Sequence, residues 1–304
     1  MDRQARQSFR RTLPLARKWN ATAVIIVLSG LLAGCASQVA FRQREVLSDR
    51  LRKIDHFAVI YRHVPLEQLA PFGLVILEAD AYSEAEIRFL RLEGKLVLAY
   101  LNIGEIEQYR SFAREVKKSW ILGANPDWPD HSYVRPGERG WHWLLRNQRV
   151  RPLLDKGLDG FLLDSVDLVA PGRYPAFQKD MVRLIEKIRS WAPGAVLLAN
   201  NALFFLDKIA PAIDGVLMED LFNMFNENGN SVARSDAERF ANLKRVLRAR
   251  ARWHLPFFLV DYCPESGVDE CREIEAICRA NGLPHFCTDR NVSRIYPQLY
   301  RPGH

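Results

Sequence analysis

Eight stretches of mostly apolar residues recur along the chain. Within each stretch the apolar positions are consecutive instead of alternating, which is typical of strands that are covered on both faces, as in a parallel sheet. The stretches span residues 56–61, 73–80, 95–105, 157–167, 195–201, 214–222, 256–263 and 284–290. The pattern therefore predicts eight buried strands.

Helical patterns separate these strands. Ser83 and Glu86 form a Ser-x-x-Glu arrangement, which commonly begins a helix, and Gly94 is a suitable end for the same helix. Eight strands alternating with helices predict one α/β domain, a (β/α)8 TIM-type barrel, over residues 55–304. An open doubly wound sheet is the main alternative, and it is less favoured because no Gly-rich phosphate loop follows any of the strands.

The N-terminus has the pattern of an export signal. A basic segment that ends at Lys18 is followed by a short apolar stretch, small residues and Cys35. The end of this stretch, Leu-Ala-Gly-Cys, resembles a bacterial lipobox, which implies that residues 1–34 are a signal peptide and that Cys35 is lipidated. Residues 35–54 are then the lipidated start and a tether, and Ala36, in place of Asp, favours the outer membrane. An uncleaved anchor helix is the alternative, although the apolar stretch is short for a membrane span.

The net charge of +7 is concentrated at the same end. Residues 1–35 contain six basic residues and one acidic residue, a net charge of +5, which leaves +2 for the rest of the chain. Without a basic stripe on the main domain, nucleic acid is not an expected partner. The expected membrane contact is through the lipid on Cys35.

Four other cysteines, at positions 263, 271, 278 and 287, lie in the last quarter of the chain. An exported compartment permits disulfides. Cys271 and Cys278 lie two turns apart on a predicted helix and cannot pair with each other. We predict the pairs Cys263–Cys271 and Cys278–Cys287, with free buried thiols as the alternative. Their spacings of 8, 7 and 9 residues fit no common zinc pattern, so no metal is predicted.

A long connection, residues 106–156, follows the third predicted strand. In a barrel it would cover the C-terminal mouth, where active sites lie. It contains four of the seven tryptophans, and aromatic rings can stack on the apolar faces of sugars. Trp141 and Trp143, next to a predicted helix, are expected to pack within the connection. For Trp128, between Asp127 and Pro129, substrate contact and packing within the connection are both open.

Polar residues follow the ends of nearly all the predicted strands. The candidates for substrate binding at these ends are Tyr61, Asp80, Tyr100, Asn102, Glu105, Asp167, Asn200, Asn201, Asp261 and Tyr262. Histidine is absent from this set, because His56 and His285 begin strands. A His-ligated metal centre and a Ser-His-acid triad are therefore not expected, and no cofactor is predicted.

Asp164 and Glu219 are the candidates for catalysis. They end the fourth and sixth predicted strands, which places their backbones about 9–10 Å apart. Converging side chains could bring the carboxyl groups into the range of about 5–9 Å that glycosidases use. Two carboxylates with amide and tyrosine donors are the residue types of glycoside hydrolysis. Asp167 lies in the turn after the fourth strand and either binds substrate or caps the next helix.

Four motifs carry a resemblance to a known family: LAYLNIGEIEQYR (98–110), GLDGFLLDSVD (157–167), LLANN (197–201) and DGVLMEDLF (214–222). They resemble the endo-α-1,4-polygalactosaminidases of glycoside hydrolase family 114 and the related hydrolase domain of the Pel exopolysaccharide system. The resemblance covers roughly residues 55–290 and implies a (β/α)8 barrel that cleaves α-1,4-linked galactosamine-type polymers. It further implies Asp164 as nucleophile and Glu219 as acid/base. Leu163 and Ser165 depart from the Pro and Asn that such proteins often have at these positions.

The sequence thus predicts a lipid-anchored glycosidase whose partner is an amino-sugar polysaccharide. A cationic polymer would suit a mouth lined by carboxylates. The first alternative is a sugar-binding lipoprotein of an export or biofilm system, without turnover, although a pure binder needs no opposed pair of acids. The second is an enzyme of different chemistry on the same barrel, since a fold does not fix a reaction.

Overall fold

The computed structural model describes residues 38–226, 230–263 and 267–300. The predicted signal peptide, 1–34, and the predicted lipidation site, Cys35, lie outside these residues. Among the helices of the described ranges, none is both long enough and apolar enough to cross a membrane.

The strands are numbered in chain order. They are β1 (Phe57–Ile60), β2 (Leu74–Leu77), β3 (Leu96–Asn102), β4 (Glu105–Glu107), β5 (Ile121–Ala124), β6 (His131–Val134), β7 (Gly160–Asp164), β8 (Val196–Asn200), β9 (Gly215–Glu219), β10 (Asn223–Phe225), β11 (Ser231–Ala233), β12 (Phe257–Tyr262) and β13 (His285–Thr288). The helices are α1 (38–51), α2 (Glu84–Leu92), α3 (Arg139–Leu144), α4 (Arg151–Asp155), α5 (Gln178–Trp191), α6 (Leu206–Ile209), α7 (Asp236–Trp253) and α8 (Val268–Ala280).

Eight parallel strands form the central sheet, in the order β1-β2-β3-β7-β8-β9-β12-β13. The sheet curls so that its two edges meet, and the Tyr61 N–H donates to the Val292 carbonyl, 2.8 Å away, at the junction. Phe57 of β1 packs on Phe258 and Phe286, with ring centroids 5.1 and 6.0 Å apart. The predicted (β/α)8 barrel is confirmed, and each predicted strand stretch contains one barrel strand.

Local sequence signals set the helix ends. Ser83 and Glu86 exchange both hydrogen bonds of a capping box at the start of α2, and Gly94 follows the helix with a φ of 79°. Ser235 and Glu238 form a second capping box at α7. The structure adds α1 within the segment assigned to the tether. Its Leu47 and Leu51, one turn apart, are buried in the core.

The long connection after β3 folds into structure of its own. β4, β6 and β5 form a three-stranded antiparallel sheet, which the sequence pattern did not predict because each strand is only three or four residues long. The helix predicted near its end is present as α3 and α4, joined by a π-helical segment, Leu145–Val150. Trp141 is buried, as expected, and donates to the Ile103 carbonyl at the end of β3, whereas Trp143 is 56% exposed, so its expected packing within the connection is wrong.

The cysteine prediction is partly wrong. The sulfur of Cys271 lies at bonding distance from both Cys263 and Cys287, so the predicted pair Cys263–Cys271 is one of two alternatives. The predicted pair Cys278–Cys287 does not form, and Cys278 is a free, buried thiol. Cys278 lies seven residues further along α8 than Cys271, a rise of about 10 Å, and Cys287 is level with Cys271.

Candidate active site

The polar residues at the C-terminal strand ends surround one opening, which we call the cleft. β3 and β7 pair in a register that sets Asn102 opposite Asp164, and β8 and β9 follow next in the sheet. Neighbouring strand ends therefore carry Asp164, Asn200 and Glu219 side by side. The sheet itself, and not a mobile loop, positions these groups.

One amide joins the two candidate carboxylates. The Asn200 Nδ2 donates to Asp164 Oδ1 at 2.8 Å and to Glu219 Oε1 at 2.7 Å. Because one nitrogen serves both, these two oxygens lie at most about 5.5 Å apart, which fits the carboxyl separation of retaining glycosidases (about 5–5.5 Å) better than that of inverting ones (about 6.5–9.5 Å). The structure thus brings together Asp164 and Glu219, as predicted.

Tyrosines complete the hydrogen bonding of the pair. Tyr100 donates to Asp164 Oδ2 at 2.9 Å, and Tyr262 donates to Glu219 Oε2 at 2.8 Å. The Tyr61 ring lies 4.4 Å from the Tyr100 ring, and burial together with the charges of Asp164 and Glu219 raises the pKa of Tyr61 well above its ordinary value. Burial likewise raises the pKa values of Tyr100 and Tyr262, so all three phenols stay protonated and can act as donors at neutral pH.

The two carboxyl groups titrate differently. Burial raises the pKa of Asp164 to about 6, against the Asn200 hydrogen bond, which lowers it. Burial and the charge of Asp164 raise the pKa of Glu219 to about 8, against the hydrogen bonds from Tyr262 and Asn200. Between these values Asp164 is ionised and Glu219 keeps its proton. One site thus offers a nucleophile or base together with an acid.

The residue directly after each of these three strand ends has a left-handed backbone. Ser165, Asn201 and Asp220 have φ values of 57°, 49° and 57°. Such conformations are uncommon outside glycine and cluster at functional sites. Asn201 also accepts a hydrogen bond from the Glu219 N–H at 3.0 Å, so its side chain supports the backbone and does not reach into the cleft.

Glu105 organises the side of the cleft next to Asp164. Its Oε1 accepts from Ser165 Oγ at 3.1 Å and from Asn125 Nδ2 at 3.2 Å, and its Oε2 lies 3.0 Å from His131 Nδ1. Half-burial lowers the pKa of His131, but the hydrogen bond and charge of Glu105 outweigh this and raise it. Glu105 is only 4% exposed, and these hydrogen bonds hold it in the side of the cleft next to Asp164.

Asp80 belongs to an ionic network below the rim. Arg110 is buried and contacts Glu107 and Glu78 at 2.6 Å each and Asp80 at 2.8 Å. Arg149 makes a second contact to Asp80 at 2.6 Å. The two arginines balance two of the three carboxylate charges in this network, and Asp80 is paired within the protein.

Three other predicted substrate ligands have partners within the protein. Asn102 donates to Tyr100 and accepts two backbone N–H groups. Asp167 lies inside a short 3-10 helix, 3.4 Å from Arg173, and does not cap it. Asp261 has no exposed surface and accepts from two backbone N–H groups. It faces away from the cleft because its neighbour on β12, Tyr262, faces into it.

Trp128 lies at the rim of the cleft and is 40% exposed. Its ring stands 6.1 Å from that of His131, and the Arg290 guanidinium lies over it, 5.5 Å from its centre. Residues that the sequence pattern missed thus include His131, Arg110 and Arg290. Arg110 lies inside the motif LAYLNIGEIEQYR, which could have identified it, whereas no local sequence pattern points to His131 or Arg290.

No His or carboxylate cluster with the geometry of a metal site occurs in the described ranges; the three cysteines 263, 271 and 287 are the group that has it. These three cysteines are buried and far from Asp164 along the chain. The sulfur of Cys271 lies at disulfide-bonding distance from those of the other two. A separate cavity of about 880 Å³ lies at the opposite, N-terminal end of the barrel, where His56 precedes β1 and His285 begins β13. Neither feature involves the carboxylate pair.

Comparisons with known proteins found a matching family and several relatives. A family model described as glycoside hydrolase family GH114 matches residues 43–295. An uncharacterized protein of Deinococcus radiodurans is 24% identical over 242 residues, which are 74% of this chain and 76% of that protein. A second, of Thermotoga maritima, is 24% identical over 218 residues, which are 66% of this chain and 65% of that protein.

Solved structures match in fold. The glycoside hydrolase domain of PelA from Pseudomonas aeruginosa superposes with a TM-score of 0.71 at 22% identity, covering 80% of this chain and 97% of that one. Ega3 of Aspergillus fumigatus, solved in complex with galactosamine, superposes with a TM-score of 0.63 at 14% identity, covering 78% of this chain and 91% of that one. Both support the barrel assignment.

Proposed function

Because the chain belongs to glycoside hydrolase family GH114 and is therefore a glycoside hydrolase, we propose that it cleaves an α-1,4-linked polymer of galactosamine or N-acetylgalactosamine with Asp164 and Glu219. The observation that carries this proposal is the carboxylate pair held by the single amide of Asn200. Its separation and its unequal pKa values suit a double displacement.

In the first step the ionised Asp164 attacks the anomeric carbon as the bond to the glycosidic oxygen breaks. Glu219 gives its proton to that oxygen, and the shortened polymer leaves as an alcohol. The sugar is then joined to Asp164 as a glycosyl ester. Tyr100 and Asn200 hold the two oxygens of Asp164, so that the carboxylate is fixed before it attacks.

In the second step the ionised Glu219 takes a proton from a water molecule, whose oxygen attacks the anomeric carbon. The ester bond to Asp164 breaks, and Glu219 is protonated again. Two inversions leave the α-configuration unchanged. Tyr262 stabilises the charge that Glu219 carries between the steps.

The substrate assignment is supported by the motif resemblance and by the fold shared with Ega3, which was solved with galactosamine bound. Among the predicted ligands, Tyr61, Tyr100, Asn200 and Tyr262 line the cleft around the pair, and we assign them to the sugar at the point of cleavage. Trp128 is assigned to a neighbouring sugar, because its ring is at the rim and exposed.

We also propose that the mature protein starts at a lipidated Cys35 and is held at the outer membrane. The support is the order of basic, apolar and small residues that ends in Leu-Ala-Gly-Cys. Expression with labelled palmitate should label the wild type and leave Cys35→Ser unlabelled. Equal labelling of both proteins would contradict the assignment of Cys35 as the lipidated residue.

The activity is tested by reducing-end release from partly deacetylated α-1,4-polygalactosamine. Asp164→Asn and Glu219→Gln should each lose activity by a factor of at least about 10³, whereas Asp269→Asn, a change at a fully exposed acid, should not alter it. Each variant is checked for an unchanged melting temperature. If the wild type binds the polymer but releases no ends, the chain is a binding protein, and the enzymatic proposal is wrong.

A further inference from the structure

Helix α1 lies across the N-terminal end of the barrel, which we call the base. The Arg44 guanidinium pairs with Asp214, directly before β9, at 2.8 Å. Arg52, directly after α1, donates to the carbonyl of His254, shortly before β12, at 2.6 Å. These contacts at the beginnings of two barrel strands make α1 part of the barrel domain. The cleft lies at the opposite ends of the same strands.

The chain between α1 and the proposed lipid is short. Gly194, two residues before β8, lies against α1, where an added methyl group would come 3.3 Å from the Ala40 carbonyl oxygen. Cys35 precedes Ala40 by five positions, and five residues span at most about 18 Å even when fully extended. A lipid on Cys35 would therefore keep the base close to the bilayer surface.

The base is also the basic side of the domain. Residues 40–55 carry a net charge of +2, and residues 244–253, the end of α7, carry +5 without any acidic residue. The hydrogen bond from Arg52 to His254 places this end of α7 at the base. From residue 36 onwards the chain carries only +2 in total, so the remainder, which includes the cleft, carries −5. The expectation that the main domain lacks a basic stripe is therefore wrong for this side.

Three arginines form an exposed stripe on α7. Arg245, Arg248 and Arg252 lie three and four positions apart, so they share one face of the helix, and all three are exposed. Within the described part of the chain, none of them has a carboxylate at ion-pair distance. On α1, Phe41 and Val46 are each 60% exposed, so the base also presents apolar side chains. Unpaired cations together with apolar side chains are typical of surfaces that bind anionic lipid.

We propose that the base and this arginine stripe dock on a bilayer that contains anionic phospholipid, and that the cleft opens away from the membrane. Guanidinium groups donate to lipid phosphates, and the net negative remainder of the domain is repelled by the same surface. β3 is seven residues long, so the cleft stands on the order of 20 Å above the base. The enzyme would thus act on polymer beyond the headgroups. This inference rests on the proposed lipid at Cys35.

The test places the full-length, lipidated protein in vesicles of phosphatidylcholine, with and without phosphatidylglycerol, whose acyl chains carry bromine. Bromine quenches tryptophan fluorescence at short range. Trp253 is half-buried at the end of α7, whereas Trp128 is at the rim of the cleft. In vesicles with phosphatidylglycerol, Trp253→Phe should lose quenched emission, and Trp128→Phe should lose only unquenched emission. Each variant is checked for an unchanged melting temperature.

Charge variants measure the contribution of the stripe. Each arginine near an anionic surface should contribute about fivefold, so Arg245→Gln/Arg248→Gln/Arg252→Gln should lower the ratio of docked to undocked protein about 10²-fold. The matched control removes three exposed cations from the connection after β3, as Arg114→Gln/Lys117→Gln/Lys118→Gln, and should leave the ratio unchanged.

Quenching of Trp128, quenching that is equal without phosphatidylglycerol, or equal effects of the two triple variants would overturn the docking. A second copy bound at the base would overturn it too, and would appear as a cross-linked dimer with Trp253 unquenched. Mass spectrometry of the N-terminal peptide separates the failures: without lipid on Cys35, both the anchor and the docking that rests on it are wrong. The proposed reaction is measured independently, on protein solubilised in detergent.

Discussion

The two tyrosine hydroxyls at the carboxylate pair should control opposite limbs of the pH–rate profile. Tyr262 donates to Glu219, and Tyr100 donates to Asp164. The active form has Asp164 ionised and Glu219 protonated, so kcat/KM should fall below about pH 6 and above about pH 8. Each phenol stabilises the ionised form of its own carboxyl group. Removing a phenol should therefore raise the pKa of that group more than that of its partner.

The size of the shift follows from the hydrogen bonds. A bond to a charged group contributes about 1.5–3 kcal/mol, and one pKa unit corresponds to about 1.4 kcal/mol. Water can partly replace the lost donor, so we expect a shift of about one unit. Tyr262→Phe should move the alkaline limb from about pH 8 to about pH 9. Tyr100→Phe should move the acid limb from about pH 6 to about pH 7.

The assay is kcat/KM for reducing-end release across pH 4–10, and each variant is the control for the other. Tyr262→Phe should broaden the profile, whereas Tyr100→Phe should narrow it. If either variant moved both limbs together, or if neither moved a limb, the assignment of the two pKa values to Asp164 and Glu219 would be refuted.

Two further predictions concern stability and thiols. Arg110→Met removes the ion-pair partner of the buried Glu107 and one of the two arginines near Glu78. It should lower the free energy of unfolding in urea by about 3–5 kcal/mol, against less than about 1 kcal/mol for Arg272→Met on the surface; equal losses would contradict the network. Because Cys271 can form only one disulfide, alkylation of the denatured, unreduced protein should label two of the four cysteines after residue 260, one of them Cys278. Peptide mass spectrometry reads this out, and a set with no free thiol would contradict it.

The sequence was sufficient for the barrel because parallel strands that are covered on both faces leave a strong local signal. Continuous apolar runs located every barrel strand, and the ends of those runs located Asp164, Asn200 and Glu219. The general rule that active sites of such barrels lie at the C-terminal ends of the strands then identified these residues as candidates.

The remaining features depend on contacts between distant segments. Asn200 was expected near the site, but its donation to both carboxylates depends on the register of three strands. The orientation of Asp261 follows from strand alternation once Tyr262 is known to face the cleft. Arg290 meets Trp128 across 162 positions of sequence, and no local pattern encodes such a contact.

The central claim is that Asp164 and Glu219 act by double displacement within one narrow cleft. It is tested most directly by the anomeric configuration of the first product released from an α-1,4-linked N-acetylgalactosamine oligomer, followed by proton NMR before mutarotation. The α-anomer should appear first and convert slowly to the β-anomer. If the β-anomer appeared first, the reaction would invert, and the arrangement of the pair described here would be contradicted.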